Sequence, residues 1–268
     1  MSKTAVLTLA HFSAGYRAKT IVQDVDVTIE RNCLTALLGT NGSGKTTLLK
    51  GICGLTQSGG TCLLEGRNMQ TLREKERARA MSYMPQHSGV AFSISVLEMV
   101  LMGFNPALRL LAFPNAAQRA LALKTLEEVG LAARSEEDFL TLSAGQRQLV
   151  LLARALVQDT ALLLFDEPDS ALDFNNKHLI LAKIRQVIHR QNKAGLLCLH
   201  DANLAMQYCD RLLLLKDGRL VGDICPKQDS VQVIQTALQR IYEHVIVVAA
   251  DGGFVMQRID AEETENVR

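Results

Sequence analysis

Short apolar runs alternate with helical patterns along much of the chain. Residues 33–38 (CLTALL), 161–166 (ALLLFD) and 196–200 (LLCLH) are brief and almost continuously apolar. Such runs suit strands buried on both faces of a mainly parallel sheet, because every side chain meets an apolar neighbour. Residues 178–190 (HLILAKIRQVIHR) carry helical spacing and fall between the last two of these runs. This order predicts an α/β core.

The stretch 88–157 has a different texture. SVLEMVLMGF, NAAQRALALKTLEEVG and QRQLVLLARALV all show helical spacing, with Asn115 placed to cap the second. We read them as a helical insert in the α/β core. The first ~30 residues and GTCLLEG at 60–66 predict antiparallel strands beside that core. Residues 245–259 (VIVVAADGGFVMQRI) carry a hairpin signal around Asp251, Gly252 and Gly253. The polar end, AEETENVR, is expected to fray.

Composition narrows the partners. The 268 residues allow one large domain or a core with a subdomain. Lys and Arg number 29 against 28 Asp and Glu, a balance that argues against a nucleic-acid binder working through a basic surface. The start, MSKTAVLTLAHF, has no apolar core of signal-peptide length. No apolar run approaches the ~18–20 residues of a membrane span, so a cytosolic chain is expected, with docking on a membrane partner left open. Six cysteines show no metal-site or redox spacing and read as small buried thiols.

The loop GTNGSGKT at 39–46 fits G-x-x-x-x-G-K-[ST] between a strand run and a helix. Gly39, Gly42 and Gly44 let the backbone curl with its N–H groups inward. Lys45 can reach the β and γ phosphates of a nucleotide, and Thr46 offers a hydroxyl to Mg²⁺. LLLFDEP at 162–168 supplies a partner motif: Asp166 at a strand end for the Mg²⁺ shell, then Glu167 as a general base for water. Asn192-Lys193 lacks the aspartate of a guanine-specific motif, which disfavours a GTPase. A kinase for a small metabolite stays open on these residues alone.

LSAGQ at 142–146 poses a separate question. Small residues and a serine hydroxyl open a helix and make a second anion site, about a hundred residues after the first. With this motif between the phosphate loop and Asp166-Glu167, residues ~5–225 resemble the ATPase subunits of ABC transporters. The resemblance implies a P-loop NTPase core, RecA-like, with an antiparallel β subdomain and a helical insert. It implies that Gly39, Thr40, Asn41, Gly42, Ser43, Gly44, Lys45, Thr46 and Thr47 bind ATP. Tyr16 matches an aromatic that stacks on adenine, although ordinary packing explains a lone tyrosine equally well. Gln86, in YMPQ, matches a glutamine that joins the Mg²⁺ and γ-phosphate site to the helical insert. His200 matches a switch histidine at the γ-phosphate, and SALD at 170–173 a loop that touches the opposing subunit. Glu167, His200 and Gln86 are thus the catalytic set, with Thr46, Gln86 and Asp166 around Mg²⁺.

The family packs two such subunits head to tail. By resemblance, Ser143 and Gly145 hold the γ-phosphate bound by the other chain of a homodimer, and Ala144 and Gln146 belong to the same nucleotide-binding turn. Two departures stand out: Ala144 replaces a commoner glycine, and Asp169 in DEPDS adds a charge near the phosphates. The implied division is an ABC ATPase domain over 1–225 and a C-terminal extension over 226–268. Within the first, 1–87 and 158–225 form the core with its β subdomain, and 88–157 the insert. Residues 92–114 and 200–221 look like the ATPases of iron-siderophore, haem and cobalamin importers, with molybdate-type importers as close relatives. That implies separate integral membrane permease chains, an external substrate-binding protein acting indirectly, and a peripheral place on the cytoplasmic face of the inner membrane. SVLEMVLMG is expected near the groove for a permease helix. The alternative is a soluble ATPase of the same superfamily serving a cytosolic assembly such as iron–sulfur cluster biogenesis.

Overall fold

The computed structural model describes residues 4–17, 19–86, 89–109, 111–170, 172–250 and 253–259. The chain opens with two long antiparallel strands, β1 (Ala5–Tyr16) and β2 (Lys19–Glu30). Strand β3 (Cys33–Leu38) leads through the glycine-rich loop into helix α1 (Lys45–Ile52). Strands β4 (Gln57–Leu64) and β5 (Arg67–Asn68) complete a four-stranded sheet in the order β2-β1-β4-β5. The antiparallel strands expected beside the core are these.

After α2 (Glu74–Ala80) and β6 (Met81–Met84), three helices follow: α3 (Val96–Leu101), α4 (Ala116–Glu128) and α5 (Ala144–Leu156). Asn115 caps α4 as expected, accepting from the Gln118 N–H while the Gln118 side chain returns to the Asn115 N–H. The chain re-enters the sheet as β7 (Leu162–Asp166), crosses through α6 (Phe174–Arg190) to β8 (Ala194–Leu199), and continues through α7 (Ala202–Tyr208), β9 (Arg211–Lys216) and β10 (Arg219–Ile224). It closes with α8 (Val231–Leu238) and a hairpin of β11 (Val245–Ala250) and β12 (Gly253–Arg258). The hairpin's turn at 251–252 and the polar end 261–268 lie outside the described residues.

The main sheet runs β10-β9-β3-β8-β7-β6, parallel throughout except for the edge strand β10. It is wider than the three apolar runs suggest, with β6 beyond β7 and with β9 and β10 beyond β3. Alternation within the strands divides the core. Leu37, Leu164, Cys198 and Leu213 face α1 and the antiparallel sheet, whereas Leu38, Phe165, Leu199 and Leu214 belong to the cluster containing α5, α6 and α7. Both faces are covered, which is why these strands are apolar at every position. The C-terminal ends of β3, β7 and β8 form one edge, where an open parallel sheet places its ligands.

Candidate functional site

That edge carries the phosphate loop. Gly42 and Gly44 adopt φ of 81° and 106°, backbone that a side chain would strain. Gly39 is needed for a different reason: a Cβ there would lie 2.4 Å from the Leu215 carbonyl oxygen. The loop is tied from outside, since the Gly218 N–H donates to the Ser43 carbonyl at 3.0 Å. Among the described residues Ser43 Oγ is buried with no hydrogen-bond partner, and a Cβ on Gly42 would meet nothing within 4 Å. A buried, unpartnered hydroxyl under an open backbone curl suits the oxygens of a phosphate chain.

A cavity of about 300 Å³ lies against the loop, lined by Tyr16, Ile21, Asn41 to Thr47, Glu167 and His200. Tyr16 is 45% exposed, so the aromatic ring is available to a ligand instead of filling the core. Lys45 is buried, and its Nζ donates to the carbonyls of Gly39 at 2.8 Å and Thr40 at 3.2 Å. Desolvation lowers its pKa, with Cys198, Glu167 and Asp166 opposing.

Asp166 and Glu167 diverge at the end of β7. Asp166 is buried; Thr46 Oγ1 donates to its Oδ1 at 2.8 Å and the Tyr83 hydroxyl to its Oδ2 at 3.0 Å. Burial, reinforced by Asp166, holds the Tyr83 hydroxyl well above its ordinary pKa, so it remains a donor. Glu167 turns away because its backbone is left-handed, φ 50°. Gln86 Nε2 donates to Glu167 Oε2 at 2.7 Å, and His200 Nε2 shares a hydrogen bond of 2.5 Å with Oε1. His200 Nδ1 lies 3.4 Å from Lys45 Nζ. Thr46, Asp166 and the Gln86 side-chain carbonyl are hard oxygen donors, the set that suits Mg²⁺.

The cavity lining does not include Ser143, Ala144, Gly145 or Gln146. Ser143 caps α5, its Oγ accepting from the Gln146 N–H at 3.3 Å while Gln146 Oε1 accepts from the Ser143 N–H at 2.9 Å. Ala144 lies in the first turn of α5 with ordinary helical backbone, so the position does not require glycine. At Gly145 a Cβ would lie 2.7 Å from the Asn176 side chain, which Asp173 holds at the start of α6. Ala171, inside the SALD motif, lies outside the described residues. Asp169 is buried, and burial pushes its carboxyl pKa up.

Two contributors escape sequence reasoning. Tyr83 orients Asp166 from the neighbouring strand β6, a four-residue strand that is absent from the apolar runs read as core strands. Gln148 on α5 is buried and donates to the Gln86 carbonyl at 3.3 Å, joining the LSAGQ helix to the loop that holds Glu167. An amide one turn into an amphipathic helix gives no signal in the sequence. Four of the six cysteines are buried as expected, Cys53 and Cys225 are half-buried, and burial raises the pKa of Cys53 and Cys62 to about 12, as inert thiols should be.

A phosphate loop, a strand-end Asp-Glu pair, a glutamine and a histidine converge on one edge, with an LSAGQ helix cap outside their cavity. Together they define a P-loop ATPase cassette. The model of the ABC transporter family matches residues 22–170. A probable iron chelatin transport ATP-binding protein of Helicobacter pylori is 38% identical over 217 residues, covering 80% of this chain and 85% of the relative. The hemin import ATP-binding protein HmuV of Vibrio parahaemolyticus is 36% identical over 228 residues, covering 83% and 86%. An inward-facing ABC transporter described as of metal-chelate type aligns with TM-score 0.79 at 24% identity, covering 95% of this chain and 96% of that one. A dimeric bacterial ABC transporter cassette, MJ0796, aligns with TM-score 0.72 at 24% identity, covering 82% and 98%. At these identities the solved structures speak for the fold alone. The chain belongs to the ABC transporter family and is an ATP-binding, ATP-hydrolysing subunit of it.

Proposed function

We propose that this chain powers a separate membrane permease that imports a metal chelate of the iron-siderophore, haem or cobalamin class, or a metal oxyanion such as molybdate. Relatives named for iron chelatin, hemin and cobalamin transport support the cargo class. No helix among the described residues is long and apolar enough to cross a membrane, which fits a peripheral subunit on the cytoplasmic face. The boundaries 1–225 and 226–268 serve as working domain limits, with 88–157 as the insert.

The role proposed for each residue is compatible with its position. Tyr16 stacks on adenine. Thr40, Asn41, Ser43, Thr47 and the loop glycines enclose the phosphates, and Lys45 exchanges its loop carbonyls for phosphate oxygens. Thr46, Asp166 and Gln86 would hold Mg²⁺, which when bound neutralises charge on the β and γ oxygens. Glu167 accepts the proton of the attacking water, and His200 orients Glu167 and meets the γ-phosphate. The Ser143–Gln146 turn serves the γ-phosphate of a second copy, so nucleotide closes a head-to-tail homodimer and hydrolysis releases it. Beside α3, a cavity of about 320 Å³ lined by Glu98, Leu101, Met102, Asn105, Phe113, Pro114 and Arg119 offers a seat for a permease helix.

The observation that carries this reading is the meeting of Lys45, Thr46, Glu167 and His200 on a cavity that the LSAGQ cap does not line. The test is purification from detergent-solubilised membranes of the native host. An integral membrane permease co-purifying, with ATPase activity stimulated in its liposomes, supports an importer. Recovery with soluble scaffold proteins alone contradicts it.

A further inference from the structure

The C-terminal extension reaches the catalytic histidine from behind. The Tyr242 hydroxyl, four residues beyond the end of α8, donates to the backbone carbonyl of His200 at 3.1 Å. Three residues past His200, the Asn203 side chain pairs reciprocally with the backbone of Met256 in β12. Its Oδ1 accepts from the Met256 N–H at 2.7 Å and its Nδ2 donates to the Met256 carbonyl at 3.2 Å. Asp201, between them, caps α7 by accepting from the Asn203 and Leu204 N–H groups at 2.8 and 3.2 Å. On the other side, Leu199 is fixed in β8 opposite Leu38.

These bonds bracket one Cα. Leu199 in its ladder sets the peptide plane before His200, and Tyr242 sets the plane after it. With both planes held, the direction of the His200 Cβ is set, and the imidazole is delivered to Glu167. We propose that Tyr242 and the Asn203–Met256 pair position His200 for ATP hydrolysis, so that the extension is part of the catalytic apparatus through its grip on this one loop. Tyr242 suits this role because burial and the neighbouring Asp201 raise its pKa to about 12, so the hydroxyl donates at any working pH. Tyr242 is a positioning residue: it does not itself line the cavity, and it meets the site through the His200 backbone carbonyl.

The inference rests on the role proposed for His200, and the experiment separates the two. Steady-state ATPase kinetics and melting temperature are measured for the full-length wild type, Tyr242→Phe, Asn203→Ala, His200→Ala and the double variant His200→Ala/Tyr242→Phe. Loss of one positioning hydrogen bond predicts kcat reduced about three- to ten-fold in Tyr242→Phe, with KM for ATP within about two-fold. Asn203→Ala should shift kcat the same way. In the His200→Ala background, Tyr242→Phe should change kcat no further, because it acts through the missing imidazole. Wild-type kcat in Tyr242→Phe, or an equal fall in both backgrounds, overturns the inference whatever happens to melting. Wild-type turnover in His200→Ala overturns the role of His200 and this inference with it.

Discussion

Glu167 Oε1 and His200 Nε2 lie 2.5 Å apart, and the glutamate reaches that bond from a left-handed backbone with φ 50°. A non-glycine residue in this conformation costs about 1–3 kcal/mol. The turn reverses the chain immediately after Asp166, so two consecutive carboxylates serve two directions. Asp166 meets Thr46 and Tyr83, while Glu167 meets Gln86 and His200.

Glu167→Gln keeps the side chain's shape and removes its capacity to accept a proton from water. Turnover should fall about 10²–10⁴-fold while ATP binding persists. Size-exclusion chromatography with ATP should then show a stable dimer. Turnover near that of the wild type would remove Glu167 from the role of base.

His200→Ala removes an imidazole that is 42% exposed, so little packing is lost with it. Turnover should fall about a hundred-fold with ATP affinity nearly unchanged. Paired calorimetry and ATPase assays check this. A lower melting temperature with normal hydrolysis would make the histidine structural.

Tyr83→Phe deletes one hydroxyl and leaves the ring's packing. Asp166 Oδ2 loses its donor at 3.0 Å and is held less firmly. The Mg²⁺ concentration for half-maximal ATPase should rise about ten-fold, measured by titration at saturating ATP. An unchanged titration would mean that Asp166 needs no orientation from β6.

Gly218→Ala tests the support of the phosphate loop. Gly218 has φ 76°, and a Cβ there would fall 1.9 Å from the Ile21 carbonyl oxygen. Its N–H holds the Ser43 carbonyl, and its carbonyl accepts from the Gln23 N–H at 2.8 Å. Strain and displacement together should cost about 2 kcal/mol or more of stability, read by urea unfolding. A cost under about 0.5 kcal/mol would show that the loop and β2 adjust freely.

Much of this was legible in the chain because the relevant signals are local. Strands β3, β7 and β8 are buried on both faces, so they appear as unbroken apolar runs. GTNGSGKT and LSAGQ are recognisable by glycines and a serine at fixed spacing. What stayed hidden is long-range. Strand β6 is four residues long, and the polar Ser82 and Tyr83 break its apolar pattern. The contacts Tyr83–Asp166, Gln148–Gln86 and Tyr242–His200 span 83, 62 and 42 residues, and no periodicity encodes them. Asp169 also reads differently once folded: its carboxyl is buried and its pKa raised.

The central claim is that the LSAGQ cap serves a nucleotide bound by another copy of the chain. A mixed dimer with Lys45→Ala on one chain and Ser143→Arg on the other, isolated by two affinity tags, tests it most directly. Shared sites place both lesions in one site and leave the other intact; both lesions on one chain, paired with wild type, spoil each site once. The measurement is ATP occluded per dimer in a Glu167→Gln background with subunit exchange blocked. The account predicts about one ATP in the first dimer and none in the second, two sites being formed per pair. None in the first and about one in the second would contradict it and assign LSAGQ to its own chain.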